Sequence, residues 1–241
     1  FENVAGFKNL YKGEAFFTLI DELHKIGYNT VDRVVDISNY GLPQRRLRTI
    51  VVGFPKNQIF HFPEFTHDDS ENLFCSPSLT LSDAISDLPT LKSGQKRNFY
   101  QTEPQNDYQK RMRKNENILT EHNASNYGEK MKKIFSYLPK NGTINDVPEY
   151  LRPKSYFNNV YARLNDDKLS PTITRNFGTP SSSRCIHPTQ NRALSTREGA
   201  RLQSFPDDYI FYGSKTSKNL QIGNAVPPIL GEVLGEALNR I

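Results

Sequence analysis

The run Gln44-Arg45-Arg46-Leu47-Arg48 puts three long hydrogen-bonding side chains at alternate positions. If it enters a sheet extended, Gln44, Arg46 and Arg48 converge on one face, while Arg45 and Leu47 take the other. Composition alone favours a plainer reading, a solvated basic edge strand. A second candidate is Gly223-Asn224-Ala225-Val226-Pro227-Pro228, where a permissive Gly and an Asn side chain precede a proline-started helix, whose first backbone amides suit a carboxylate or phosphate. A third is the loop Gly178-Thr179-Pro180-Ser181-Ser182-Ser183-Arg184. Beside Arg175 and Asn176, its short polar side chains and Arg184 could reach base edges in a groove. Cys75 and Cys185 are the two cysteines, and the five histidines have no metal-ligand spacing, so neither a disulfide framework nor a zinc site is expected.

The elements that must position these residues follow from pattern. Residues 1–4 read as the tail of a strand. A helix is expected over 14–25, with Phe16, Leu19, Ile20 and Leu23 as its buried face and Gly27 as its stop. Strands are expected over 30–36 and 47–54, the latter a β-branched run of the kind buried in a mixed or parallel sheet, with turn chemistry over 39–43. Strand, helix, strand, strand describes the end of an α/β sheet. After an irregular, proline-rich stretch over 55–78, residues 80–88 make a short helix closed by Pro89. A helix over 127–138 buries Met131, Ile134, Phe135 and Leu138, and residues 161–164 and 170–175 alternate like strands. Ser195 and Glu198 form a capping box without an apolar staple, because Leu194 faces Gly199; the helix they open must end near Phe205, before Pro206. The last helix repeats apolar residues from Val226 to Ile241 at helical spacing. Its Gly231 and Gly235 either allow another backbone close or simply face outward.

The chain has 241 residues, is 36% hydrophobic and carries a formal charge of +5. It is long enough for one large domain or two small ones, and its charge makes a polyanionic partner plausible. Lys92, Lys96, Arg97, Lys110, Arg111, Arg113 and Lys114, interleaved with Phe99, Tyr100 and Tyr108, suit a nucleic-acid surface, although a run of Lys and Arg is more often merely a solvated face. No apolar run approaches the roughly 18 residues of a membrane span, and an intracellular soluble protein is expected. Since the first residue is Phe1 rather than Met, a fragment or processed product is expected.

Four blocks in order resemble the C-terminal half of a DNA (cytosine-5)-methyltransferase: Glu2-Asn3-Val4, Gln44 to Arg48, Arg197 to Asp207, and Gly223 to Pro228. Residues 80–89 and 161–174 also resemble stretches of bacterial members. The resemblance implies the C-terminal part of a Rossmann-like α/β methyltransferase sheet over 1–89. It further implies a smaller mixed target-recognition domain over 90–188, a hinge over 189–222, and a terminal helix over 223–241 that returns to the catalytic domain. It also implies cytosine flipping out of duplex DNA, attack on C6 by a cysteine thiolate, and methyl transfer from S-adenosylmethionine to C5. In that scheme Glu2 holds N3 and the exocyclic amine, Arg48 binds O2, Arg46 helps to orient the site, and Asn224 and Ala225 touch the methionine end of the cofactor. Arg175, Asn176, Ser182 and Arg184 are the candidate DNA contacts.

The departures are informative. Cys75 lies in Phe-Cys-Ser-Pro and Cys185 in Arg-Cys-Ile-His, whereas the family's nucleophile sits in a Pro-Cys context. The Gly-rich turn of a nucleotide-binding βα unit is absent too. The chain is therefore expected to be inactive alone and to complete its site with an N-terminal half, as a fragment or as a subunit of a split restriction-modification enzyme in a bacterial cytoplasm, associated with the nucleoid. No metal and no membrane are expected to be involved. The alternative is a non-catalytic DNA-binding module.

Overall fold

A computed structural model describes residues 1–69, 73–114 and 118–241. Residues 70–72, inside the stretch read as irregular, and 115–117 lie outside the described residues. The chain forms two compact units: Phe1–Ser78 with Val226–Ile241, and Leu79–Ala225.

The first unit is built on a three-stranded sheet in the order β1-β3-β2, with β1 at Glu2–Val4, β2 at Tyr28–Asp36 and β3 at Leu47–Pro55. Both outer strands run antiparallel to β3, with Glu2 opposite Ile50, Val4 opposite Arg48 and Val35 opposite Arg48. This corrects two expectations. The 47–54 run pairs in antiparallel fashion, and the basic segment leads into the central strand rather than an edge. Helix α1, Glu14–Lys25, starts at Gly13, whose φ of +91° suits glycine. It stops at Gly27, φ +97°, whose amide returns to the His24 carbonyl at 3.0 Å. Phe16 is buried, but Leu19, Ile20 and Leu23 are only half-buried.

Because side chains alternate across a strand, Arg48, Ile50, Val52 and Phe54 share one face of β3. The core of this unit gathers Ile50, Val52 and Phe54 with Val35, Tyr40, Leu42, Phe60, Phe62, Ile229 and Leu230. The last two come from the final helix, Pro228–Leu238, which has proline in its first turn. Its Gly231 and Gly235 meet nothing within 4 Å of an added Cβ, so they face open space and no backbone approaches them.

In the second unit, α2 (Leu81–Ile85), α3 (Asp107–Arg113), α4 (Glu129–Tyr137), α5 (Thr196–Leu202) and α6 (Lys215–Asn224) are joined by long irregular segments; the final helix of the first unit is α7. Helix α2, expected at the end of the first domain, belongs here, and so does the 189–222 stretch expected as a hinge. The reason is burial: all seven residues of α5 are buried, and α2, α5 and α6 share one apolar cluster with Met112, Phe177 and Phe211. Residues 161–164 and 170–175 do not form strands. Their backbone groups take single partners, such as the Leu164 amide on the Ile186 carbonyl at 2.9 Å and the Arg163 amide on the Gly142 carbonyl at 2.8 Å. Helix α3 lies where the basic and aromatic residues read as a surface: Tyr108, Met112 and Arg113 are buried.

The capping box of α5 is formed, with the Glu198 amide on Ser195 Oγ at 3.2 Å and the Ser195 amide on Glu198 Oε2 at 2.7 Å. The helix ends at Leu202 rather than near Phe205, since Ser204 turns to a φ of +63°. Gly223 and Asn224 close α6 and are helical, so they are not the free turn expected from the Gly-Asn pair.

Candidate functional site

In the first unit, the alternation expected for Gln44 to Arg48 is present. Gln44 and Arg46 are buried, Arg48 is largely covered, and Arg45 and Leu47 are exposed. The backbone fixes this phase before the strand begins: the Arg46 amide donates to Asp36 Oδ1 at 2.9 Å, and its carbonyl accepts from the Ile37 amide at 3.0 Å. Glu2, diagonal to Arg48 on the same face of the sheet, brings Oε1 within 2.8 Å of Arg48 Nε. Arg48 Nη1 also donates to the Leu47 carbonyl at 2.7 Å, so its guanidinium is oriented from two sides. Arg46 is 2% exposed. Burial and the neighbouring Arg48 lower its pKa to about 10, opposed by Glu2. The structure thus brings Glu2, Arg46 and Arg48 together as one carboxylate and two guanidiniums, a set suited to a planar heterocycle with both donor and acceptor edges.

In the second unit, Arg175, Asn176, Ser182 and Arg184 are all exposed. Their loop is a chain of tight turns: the Phe177 amide meets the Thr174 carbonyl at 3.1 Å, the Thr179 amide the Asn176 carbonyl at 2.8 Å, and the Ser182 amide the Thr179 carbonyl at 3.0 Å. Ser183 Oγ also donates to the Asn176 carbonyl at 2.9 Å. Ser182 and Arg184 line a groove of about 200 Å³ with Asn159, Pro171, Thr172 and Thr174, whereas Arg175 and Asn176 are not among its lining residues. Asn224 is exposed at the end of α6. The Ala225 carbonyl accepts from Gln203 Nε2 at 2.8 Å. The sequence reading missed Gln203. Its partner lies 22 residues away, so no local spacing signals the contact.

The Arg197 to Asp207 block is the ionic core of this unit. Arg201 bridges Asp87 at 2.5 Å and Asp207 at 2.6 Å, and Arg113 adds a second contact to Asp87 at 2.6 Å. Burial acts to lower the pKa of Arg201, but Asp207 and Asp87 outweigh it and raise the value above the ordinary one. Glu198 is held below the carboxylate range. Burial opposes its ionisation, but Arg192, 2.6 Å away, wins. Apart from Arg113, these residues are at most 1% exposed, so their charges are satisfied inside the unit rather than at its surface. Cys185 is also fully buried, and burial pushes its thiol up to about 12, which keeps it from being a thiolate. Cys75 is partly exposed and donates to the Phe65 carbonyl at 3.4 Å.

The sequence profile of C-5 cytosine-specific DNA methylases matches residues 1–240. Among similar proteins, the type II methyltransferase M1.HphI of Haemophilus parahaemolyticus is 31% identical over 240 residues, covering 100% of this chain and 56% of that protein. M.BbvI of Brevibacillus brevis is 32% identical over 247 residues, covering 98% of this chain and 56% of its own length. The chain thus spans little more than half of these relatives. A crystal structure of an E. coli prophage-encoded protein, described as a DNA modification methyltransferase, superposes with a TM-score of 0.72 at 22% identity, covering 99% of this chain and 68% of that one. That of a Spodoptera frugiperda DNMT2 mutant gives 0.54 at 16% identity, covering 99% and 65%. Both likenesses bear on the α/β fold. With the profile matched over nearly its whole length, the chain belongs to the C-5 cytosine-specific DNA methylase family.

Proposed function

We propose that this chain supplies target recognition and part of the cytosine pocket to a DNA cytosine C5 methyltransferase of the restriction-modification type. In this reading the nucleophilic cysteine and the Gly-rich cofactor loop come from an N-terminal half, on the same polypeptide or on a separate subunit. The observation that carries it is the Glu2–Arg48 pair, with its 2.8 Å contact beside buried Arg46. Glu2 holds N3 and the exocyclic amine of a flipped cytosine, Arg48 meets O2, and Arg46 keeps the site oriented. Donors aimed at the charge that builds on the ring lower the barrier more than they tighten ground-state binding. The first unit is then the C-terminal part of a Rossmann-like sheet, and the second contains the target-recognition domain. The inert Cys185 supports a nucleophile from elsewhere.

The family's cofactor is S-adenosylmethionine; when bound, it supplies the methyl group. The residues present fit one edge of it. The exposed carboxamide of Asn224 offers a donor and an acceptor, and Gln203 holds the adjoining Ala225 carbonyl in place. Arg175, Asn176, Ser182 and Arg184 read the duplex, and their shared exposure on a turn-pinned loop supports that role. A bacterial cytoplasmic site of action, on nucleoid DNA, follows from this reading. No described helix is long and apolar enough to cross a membrane.

The test uses the enzyme assembled with its N-terminal half. Glu2→Gln and Arg48→Ala are expected to lower the single-turnover rate by about 100- to 1,000-fold, while affinity for non-target duplex stays near wild type. Equal weakening of all DNA binding with the rate spared would contradict the assignment. Arg175→Ala or Arg184→Ala is expected to change the preference in a randomised-site assay; an unaltered preference counts against the loop.

A further inference from the structure

Three glycines in the second unit receive close neighbours around the root of the exposed 175–184 loop. A Cβ on Gly199 would stand 2.2 Å from the Phe177 ring, and one on Gly178 would stand 2.6 Å from Asn219 Nδ2. Those neighbours are side chains. At Gly223 the neighbour is backbone: an added Cβ would lie 2.3 Å from the Arg175 nitrogen, 2.5 Å from the Thr174 carbonyl carbon and 2.6 Å from the Arg175 Cα. A side chain there cannot be accommodated by a rotamer change, so either the loop root or the last turn of α6 has to move. Gly223 has ordinary helical backbone rather than a positive φ, so its lack of a side chain serves this approach and not a turn.

What stands on either side of the contact gives it a function. On the loop, Arg175 and Asn176 project into solvent. On the helix, Asn224 follows directly and is exposed, and Ala225 is clamped from α5 by Gln203 at 2.8 Å. The loop side is itself stiff, because the Phe177 amide closes back on the Thr174 carbonyl at 3.1 Å. Displacement at residue 223 therefore transmits both ways.

We propose that Gly223 is a positioning residue shared by base recognition and cofactor binding: its bare Cα lets the 174–175 peptide lie on the last turn of α6, fixing the DNA-reading loop and the Asn224–Ala225 end of α6 to each other. This rests on the roles assigned to those two segments above. A ligand that settles one segment then settles the other, and linkage requires the effect to be reciprocal.

The experiment compares wild type, Gly223→Ala and, as control, Gly231→Ala, each assembled with the N-terminal half. Titration with S-adenosylhomocysteine, with and without duplex DNA, is combined with randomised-site selection and a KM-against-kcat split for the methyl donor. Gly223→Ala is expected to weaken S-adenosylhomocysteine about tenfold, a typical coupling strength. It should raise KM far more than it lowers kcat, and broaden the sequence preference. Gly231→Ala should do none of this. A Gly223→Ala enzyme that is only less thermostable, with affinity and preference unchanged, overturns the proposal. Should that variant not fold, amide exchange on the wild-type enzyme decides: S-adenosylhomocysteine is expected to slow exchange at Phe177 and Thr179, and protection confined to 222–225 overturns the assignment. A wild-type assembly that neither binds the probe nor transfers methyl groups overturns the functional reading itself, and this inference with it.

Discussion

Asp87 receives two buried guanidiniums, Arg201 at 2.5 Å and Arg113 at 2.6 Å, with its own side chain fully covered. Removing one partner of a buried ionic set leaves charge unpaired in a poor solvent for it, so Asp87→Ala is expected to cost about 3–5 kcal/mol. A urea midpoint within experimental error of wild type would contradict this. Legibility at this scale divided by partner distance. The alternation of Gln44, Arg46 and Arg48 was readable because strand periodicity is local. The roles of Arg197 and Arg201 were not, because Thr120 and Asp87 are far away in sequence and composition cannot tell a buried arginine from a solvated one. For the same reason Arg113 read as part of a basic surface, although it stacks 3.7 Å from the Tyr100 ring centroid and binds Asp87.

Among the elements, α5 shows what a short helix needs when isolated propensity is insufficient. Ser195 caps the Glu198 amide and also meets His122 Nδ1 at 3.0 Å. Ser195→Ala is expected to destabilise by about 1–2 kcal/mol, read as a shift in the urea midpoint with unchanged slope. In α7, Gly231 faces open space, so Gly231→Ala is expected to stabilise by about 0.5–1 kcal/mol; a loss would mean that a backbone approaches there after all. The legible helices were those with strong local signals: α1 between two positive-φ glycines, α4 with its apolar face, α5 with its box. Helices α3 and α6 lacked such signals. Lys110, Arg111 and Arg113 masked the amphipathic pattern of α3, and Gly223-Asn224 looked like a turn because the reason for the glycine, the Thr174–Arg175 backbone, lies elsewhere in the chain. The alternating stretches at 161–164 and 170–175 are interrupted by the positive φ of Tyr161 and the turn closed on the Thr174 carbonyl, and the first makes only an isolated bridge from Arg163 to Ile186, so period-2 pattern alone did not make a sheet.

At the scale of the whole molecule, the second unit carries a pH dependence of definite sign. His187 is lowered to about 3, chiefly by burial, with Glu198 opposing and Arg192 reinforcing the shift; His122 is lowered as well, burial again the largest cause. Folded, His187 stays neutral down to about pH 3, and His122 takes up its proton only below its ordinary value. Unfolded, both take up protons below their ordinary value of 6.5. The unfolded state then binds more protons, so stability present above about pH 6.5 is lost as pH falls toward 3, at up to about 1.4 kcal/mol per pH unit for each group. Urea midpoints measured between about pH 7 and 5 should fall, and His187→Gln should flatten the slope; a wild-type midpoint independent of pH over that range would contradict it. The first unit carries Glu2, Arg46 and Arg48 on its sheet, and the second carries the exposed 175–184 loop among its helices, in a chain that spans 56% of the M1.HphI methyltransferase. The most direct measurement of the central claim is methyl transfer from labelled S-adenosylmethionine to duplex DNA, by this chain alone and then with a separately made N-terminal half. No transfer by the chain alone and restored transfer on mixing is the predicted result. Transfer by the chain alone would contradict it, and stable DNA binding with no restoration would instead favour a non-catalytic DNA-binding module.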